Sequence, residues 1–326
     1  MPPTAPAMDV HLSPDDLRSS LERDVRHGLS AEHKWLPPVW FYDDRGSQLF
    51  DEITRLPEYY PTRAERGLLE AHAGHIAALA GADTLVELGA GTCDKSRVLL
   101  DAMEATGRLR RYVPLDVSDG TLWAAATALA DEYPGLFVHA VVGDFHLHID
   151  RVPSEGTRLV AFLGSTIGNL TPEQRRRFLF DLDCSLGHED RLLLGTDLVK
   201  DRARLVAAYD DSAGVTAAFN RNVLHVLNRE LHASFDPERF EHVAVWNESE
   251  RWIEMRLRSV CTQTVDIADL DMQVTFAAGE DLLTEISAKF TPKGVEEELY
   301  AAGFLVDAMW EAPGGDFLLT LARPYC

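Results

Sequence analysis

Residues 84–92 read Thr84-Leu85-Val86-Glu87-Leu88-Gly89-Ala90-Gly91-Thr92, an apolar run that ends in a glycine turn. The run has the length of a buried strand, and a helical pattern, KSRVLLDAMEATG, follows the turn closely. A strand, a glycine turn and a helix in that order let a ligand approach the main chain and set a helix N-terminus beneath it. Outward from this turn the alternation repeats. The helical stretch ERGLLEAHAGHIAALA precedes it, and RYVPLDV, LFVHAVVGDF, RLVAFLGSTIGNL and RLLLGTDLV follow as strands separated by helical segments. Five such strands predict right-handed crossovers and a doubly wound parallel sheet, an α/β fold.

Past Lys200 the alternation stops. Residues 201–288 read as helices followed by antiparallel strands, and VEEELYAAGF, FLVDAMW and FLLTLARP return to the β/α style. The aromatic, proline-rich stretch from Lys34 to Arg63 reads as packed loop and short helices. The pattern predicts a sheet domain over residues 62–200 and 289–326, and a smaller inserted α+β domain over residues 12–61 and 201–288. Residues 1–11 are Pro/Ala-rich and are expected to be frayed.

A chain of 326 residues with 46% hydrophobic and 26% charged content is ordinary for a globular enzyme and needs no disulfide or metal staple. Its net charge of -22 repels phosphate backbones and anionic headgroups, which argues against nucleic acid or membrane as partner. Small zwitterionic or cationic substrates fit such a surface. The cysteines Cys93, Cys184, Cys261 and Cys326 are widely spaced, which suits a reducing cytosol rather than a zinc knuckle or a disulfide framework. The N-terminus lacks the pattern of a signal peptide, no apolar stretch reaches 18 residues, and a cytoplasmic monomer is expected.

The turn is not a full dinucleotide fingerprint, because Asp94 stands where the third glycine would be. Two acidic positions at later strand ends sharpen the reading. Asp116 ends the second strand, where a carboxylate accepts ribose hydroxyls, and Gly143-Asp144-Phe145 ends the third, where Asp accepts from an adenine amine and Phe covers the ring. Such acids also serve as plain helix caps. An acidic surround of Glu87, Asp94 and Asp116 disfavours a pyrophosphate and favours a sulfonium, so S-adenosylmethionine is preferred over a nicotinamide cofactor. A dehydrogenase and a non-catalytic donor-binding regulator are the rival functions. His146 and His148 lack further ligands at a convincing spacing, so no metal is expected. Arg175-Arg176-Arg177 reads as the solvated face of a helix.

With these residues in view, the chain resembles the histidine-specific N-α-methyltransferases of ergothioneine biosynthesis, which convert L-histidine to hercynine. The resemblance rests on FYDDRGSQLFDEITRLPEYYPTR, LVELGAGT with Lys95, FLGSTIGNLTP, LLLGTDLVKD, AYDDSAGVTAAFNRNVL and FAAGEDLLTEISAKF. It implies a class I (Rossmann-like) methyltransferase sheet with an inserted substrate domain. It also implies that Gly89, Lys95, Asp116, Asp144 and Phe145 contact S-adenosylmethionine. Tyr59, Asn169, Tyr209, Glu285 and Ser287 would contact histidine, with Tyr42, Phe50, Gly164 and Met255 lining the pocket. Catalytic roles would fall to Asn169 and Tyr42. A methyltransferase acting on another small amino acid or amine is the alternative.

These residue types suit that chemistry. Glu285 and Ser287 stand two apart and point to one side of an extended segment, where a carboxylate and a hydroxyl can hold an imidazole. Spacing alone fits a surface strand as well. Asn169 follows the fourth strand, and its amide with the Tyr209 hydroxyl can bind an α-carboxylate. Aromatic faces of Tyr42, Phe50 and Tyr59 favour a cation. Cys93, near a helix N-terminus, reads as a small turn residue.

Overall fold

The computed structural model describes residues 5–325 apart from Thr92 and Asp94. The threonine of the glycine turn and the aspartate at the third glycine position therefore lie outside the described residues. The strands, in chain order, begin with β1 (Ala7–Val10), β2 (Thr84–Leu88), β3 (Arg111–Asp116), β4 (Phe137–Val142), β5 (Arg158–Phe162) and β6 (Arg191–Asp197). Then come β7 (Phe240–Asn247), β8 (Trp252–Ser259), β9 (Gln263–Ile267), β10 (Met272–Phe276), β11 (Asp281–Ala288), β12 (Phe304–Glu311) and β13 (Phe317–Pro324). The chain divides into two compact units. One comprises Met1–Leu12, Pro61–Val199 and Phe290–Cys326, the other Ser13–Tyr60 and Lys200–Lys289.

The first unit is built on an eight-stranded sheet of order β1-β4-β3-β2-β5-β6-β13-β12. From β1 to β6 neighbours run parallel, whereas β13 is antiparallel to both β6 and β12. Every residue of β2 and β5 is buried, because helical crossovers cover a parallel sheet on both faces. The chain steps from β2 outward to β3 and β4, then returns to lay β5 on the other side of β2. That reversal makes the β2/β5 junction the topological switch point, where open α/β sheets bind ligands at the carboxyl ends of strands. Leu85, Tyr112, Val138, Leu159, Leu193 and Leu319 from the strands pack with Leu69, Ile76, Leu99 and Leu122 from the helices. Burying each such side chain contributes roughly 1.5–3 kcal/mol.

Two expectations are corrected here. The N-terminus is not frayed throughout: Ala7–Val10 pair in parallel with His139–Val142, Met8 packs on the core, and Asp9 meets His139 Nε2 at 2.9 Å. A four-residue strand with two exposed positions carries too little pattern to be read locally. Arg175 is not on a solvated face either. It is buried, donates to Glu298 at 2.8 and 2.9 Å and to the Leu170 carbonyl at 2.9 Å, and so ties the helix Pro172–Ser185 to Pro292–Ala301.

The second unit carries a three-stranded antiparallel sheet of order β11-β8-β7 and a β9-β10 hairpin. Phe41, Phe219, Phe240, Phe276, Leu257 and Leu282 form its core with the helices Pro14–Leu29, Asp44–Thr54 and Val215–Glu230. The register of β11 against β8 shifts between Leu283 and Glu285, leaving Thr284 as an extra residue. A bulge of this kind re-aims the side chains that follow it.

Candidate active site

The residues expected to contact the donor lie in the first unit. Gly89 and Gly91 have φ of +69° and +52°, and a Cβ at either would meet nothing within 4 Å. Glycine is needed there for its backbone freedom, and the main chain stays open to a ligand. The turn is fastened to the end of β3. The N–H groups of Gly89 and Ala90 donate to the Leu115 carbonyl at 2.9 and 3.2 Å, and the Gly91 N–H donates to Asp116 Oδ2 at 2.9 Å. The Ser118 N–H donates to Asp116 Oδ1 at 3.1 Å. Burial raises the Asp116 carboxyl above its ordinary range while these backbone donors oppose it.

Glu87 does not join an acidic surround of the ligand. It is buried beneath the turn and accepts from Ser96 Oγ and from the Tyr112 hydroxyl at 2.6 Å, and burial raises its pKa. Cys93 is buried at a φ of +57°, and burial pushes its thiol up to about 12, so it is inert at neutral pH. Asp144 caps the short helix Phe145–His148, accepting from the His146 N–H at 2.8 Å. Phe145 packs against Phe162 and Phe178 with ring centroids 5.2 and 5.7 Å away.

Lys95 is held by a residue that sequence reading passed over. Glu65, on the helix Pro61–Ala80, is fully buried. It accepts from Lys95 Nζ at 2.5 Å and from the Gly164 N–H at 2.6 Å. Gly195 of β6 makes room for it, since a Cβ there would overlap Glu65 Oε1. One carboxylate thus fixes the start of the helix after β2 to the turn after β5, across the switch point, and pairs with the Lys95 ammonium. Asn169 ends the one-turn helix Thr166–Asn169 and is half-buried. Among the described residues its amide has no hydrogen-bond partner.

Most of the residues expected to contact histidine lie in the second unit. Tyr42, Phe50, Tyr59 and Tyr209 form a chain of edge-to-face rings, with successive centroids 5.6, 6.2 and 6.2 Å apart. The Tyr209 hydroxyl lies 2.8 Å from Ser287 Oγ. On β11, Glu285 is paired across the strands with Met255 of β8. Only 8% of Glu285 is exposed, and no described group donates a hydrogen bond to its carboxyl, which burial raises to about 7 against the pull of Lys289. Lys289, also missed in the sequence, is buried, and its Nζ lies 2.8 Å from both the Tyr209 hydroxyl and Ser287 Oγ. His242 steadies the same tyrosine from below, its Nε2 2.7 Å from the Tyr209 carbonyl and its Nδ1 2.8 Å from Asn220 Nδ2. Burial lowers the His242 pKa, so the ring is neutral and donates through Nε2.

A chain of aromatic rings that favours a cation, in the unit that also buries the Glu285 carboxyl, suits a small cationic or N–H-bearing ligand. Comparison with known proteins is specific. Residues 21–324 match the family described as histidine-specific methyltransferase, SAM-dependent. The chain belongs to this family. It is 58% identical to the histidine N-alpha-methyltransferase of Mycolicibacterium smegmatis, over 96% of this chain and 97% of that protein. It is 55% identical to the enzyme of the same name from Mycobacterium tuberculosis, with the same coverage. Ergothioneine biosynthesis protein 1 of Schizosaccharomyces pombe is 32% identical over 74% of this chain and 32% of that protein.

As a member of the family, the chain uses S-adenosylmethionine as its methyl donor. Within the first unit lie Gly89, Lys95, Asp116, Asp144, Phe145, Gly164 and Asn169. Within the second lie Tyr42, Phe50, Tyr59, Tyr209, Met255, Glu285 and Ser287. Among the described residues no cluster of His, Cys, Asp or Glu is arranged to hold a metal, and no helix is long and apolar enough to cross a membrane.

Proposed function

We propose that this protein methylates the α-amine of free L-histidine three times to give hercynine, the opening step of ergothioneine biosynthesis. Family membership and the two histidine N-alpha-methyltransferase relatives support the substrate. The structural observation that carries the reading is Glu285, a nearly buried carboxyl with no donor of its own beside a polar cluster and an aromatic wall.

Bound S-adenosylmethionine supplies an electrophilic methyl group on a sulfonium. The open main chain of Gly89–Gly91 would lie against the donor, Asp116 would accept from its ribose, and Phe145 would cover its adenine. Glu285 accepts from an imidazole N–H and Ser287 holds the ring, which points the α-amine away from β11. Tyr209 binds the α-carboxylate. A free amino acid is mostly an ammonium at neutral pH, so each transfer follows loss of one proton, and three transfers release three protons. The nitrogen carries positive charge after every transfer, and the faces of Tyr42, Phe50 and Tyr59 stabilise it. Alignment of amine and methyl supplies roughly 7–11 kcal/mol of the barrier reduction.

The free thiols of Cys93, Cys184 and Cys261 and the charge of -22 support action in the cytoplasm, as a monomer. Mass spectrometry of histidine incubated with the protein and S-adenosylmethionine tests the function. Expected is a trimethylated product whose fragments carry every methyl on the α-nitrogen. Methylation of the ring, or of another amine in preference to histidine, refutes it.

A further inference from the structure

Glu65, Lys95, Gly164 and Gly195 all belong to the first unit and meet beside the β2/β5 switch point. Glu65 has 0% of its surface exposed, whereas the Lys95 side chain keeps 27%. Each carboxylate oxygen has its own donor. Lys95 Nζ lies 2.5 Å from Oε2, and the Gly164 N–H donates to Oε1 at 2.6 Å. The pair is closed at the carboxylate and open at the ammonium.

Packing alone does not call for a charge at position 65. Leu68, Leu69 and Ile76 share its face of the helix Pro61–Ala80, and a carboxyl among such residues is costly unless it is bonded. The sheet also omits a side chain to seat it, since a Cβ on Gly195 would overlap Oε1. The anchor on the other side is well fixed. Gly164 and Ser165 have φ of +74° and +58°, and Ser165 Oγ accepts from the Asp197 N–H at 2.9 Å, tying the same turn to the end of β6. Glu65 therefore joins a pinned backbone N–H to the tip of a long side chain, and what it fixes is the tip. A Cβ on Gly164 would stand 3.5 Å from Lys95 Nζ, so the ammonium lies over that turn. The nearby buried carboxyl of Glu87 is bonded instead to Ser96 Oγ and the Tyr112 hydroxyl.

We infer that Glu65 is a positioning residue of the donor site: it holds the Lys95 ammonium ready for the α-carboxylate of the methyl donor. This rests on the reading of Lys95 as a donor contact. An ammonium has three donors and no acceptor, and Glu65 uses one of them. S-adenosylmethionine carries one anionic group, its α-carboxylate, which matches the open side of Lys95. A lysine tip already held in place has less freedom to lose when the donor binds. Glu65→Gln keeps the shape but presents one acceptor oxygen to two donors, so either Lys95 or the Gly164 N–H loses its bond.

The test is calorimetric binding of three ligands to folded wild type, E65Q, K95M and E65Q/K95M. The ligands are S-adenosylmethionine, its demethylated product, and 5′-methylthioadenosine, which lacks the amino-acid part. E65Q and K95M should each weaken the first two by about tenfold or more and leave methylthioadenosine within about twofold of wild type. In E65Q/K95M the donor affinity should equal that of K95M, because Glu65 acts through the lysine. Equal weakening of all three ligands in E65Q, or a donor affinity in E65Q/K95M below that of K95M, makes Glu65 a packing residue and overturns the inference. Wild-type donor affinity in E65Q, with K95M weakened, overturns it while leaving the Lys95 reading intact. Wild-type donor affinity in K95M refutes the Lys95 reading and the inference with it. Should E65Q fail to fold, E65D carries the same comparison, since it is one methylene too short to reach both donors.

Discussion

Glu285 makes the folded protein less stable than its shape allows, and replacing it with glutamine should expose the cost. The carboxyl has an ordinary value of 4.5 and is raised by burial to about 7. The folded state therefore prefers the protonated form. Below pH 4.5 the carboxyl is protonated whether the chain is folded or not, and it costs nothing. As pH rises through the window from 4.5 to about 7 the unfolded chain gives up the proton first, so stability falls, and above 7 the full penalty is present. The displacement is 2.5 pH units, which at about 1.4 kcal/mol per unit amounts to about 3 kcal/mol. Glu285→Gln keeps the shape and cannot ionise. Urea unfolding should find the variant near wild type at pH 5 and more stable by about 2–3 kcal/mol at pH 8. Saturating histidine should narrow the gap at pH 8, because a ring N–H compensates the carboxylate. The same variant should lose roughly tenfold or more in kcat/KM for histidine. A stability difference that is the same at pH 5 and pH 8 would show that Glu285 is not ionised against its surroundings, and the argument would fail.

Other expectations follow from single contacts. Asp116→Ala should weaken S-adenosylmethionine binding by roughly 1.5–3 kcal/mol, and calorimetry on a folded variant with unchanged affinity removes Asp116 from the donor site. Gly195→Ala puts a methyl into the place of Glu65 Oε1. It should lower unfolding stability by about 1–3 kcal/mol and weaken donor binding through the Lys95–Glu65–Gly164 link, as paired melting and calorimetry would read. Asp190→Ala strands Arg158, which is 4% exposed and held by Asp190 at 2.6 Å, and should cost about 3–5 kcal/mol on urea unfolding. Deleting residues 1–11 removes β1 from the sheet edge and should lower the melting temperature, whereas an unchanged melt would mean that the β1–β4 pairing adds no stability.

The alternating part of the sheet was legible in the chain because a parallel strand buried on both faces must be a continuous apolar run, and β2 to β6 are such runs. Local glycine chemistry was legible for a similar reason: Gly89 and Gly91 adopt backbone angles that other residues avoid, and that demand is written into the residue itself. The family signature followed from long segments around these positions. The edge strand β1 was not legible, because its four residues acquire meaning only beside β4.

What tertiary structure alone decided is how buried charges are shared. Glu65 belongs to a helix whose pattern reads as ordinary amphipathic surface, and only the gap left by Gly195 and the approach of Lys95 make it a crosslink. Lys289 looks like a strand-end lysine bound for solvent until Tyr209, eighty residues earlier in the chain, closes a triangle over it. Glu285 and Ser287 share a side by spacing, but the bulge at Thr284 sets which side. Hydrophobic periodicity is a local property, so the chain by itself determined strands, helices and turns. Burial and hydrogen bonding of charged groups depend on partners distant in sequence, so the protonation and aim of the site's side chains were settled only when those partners met.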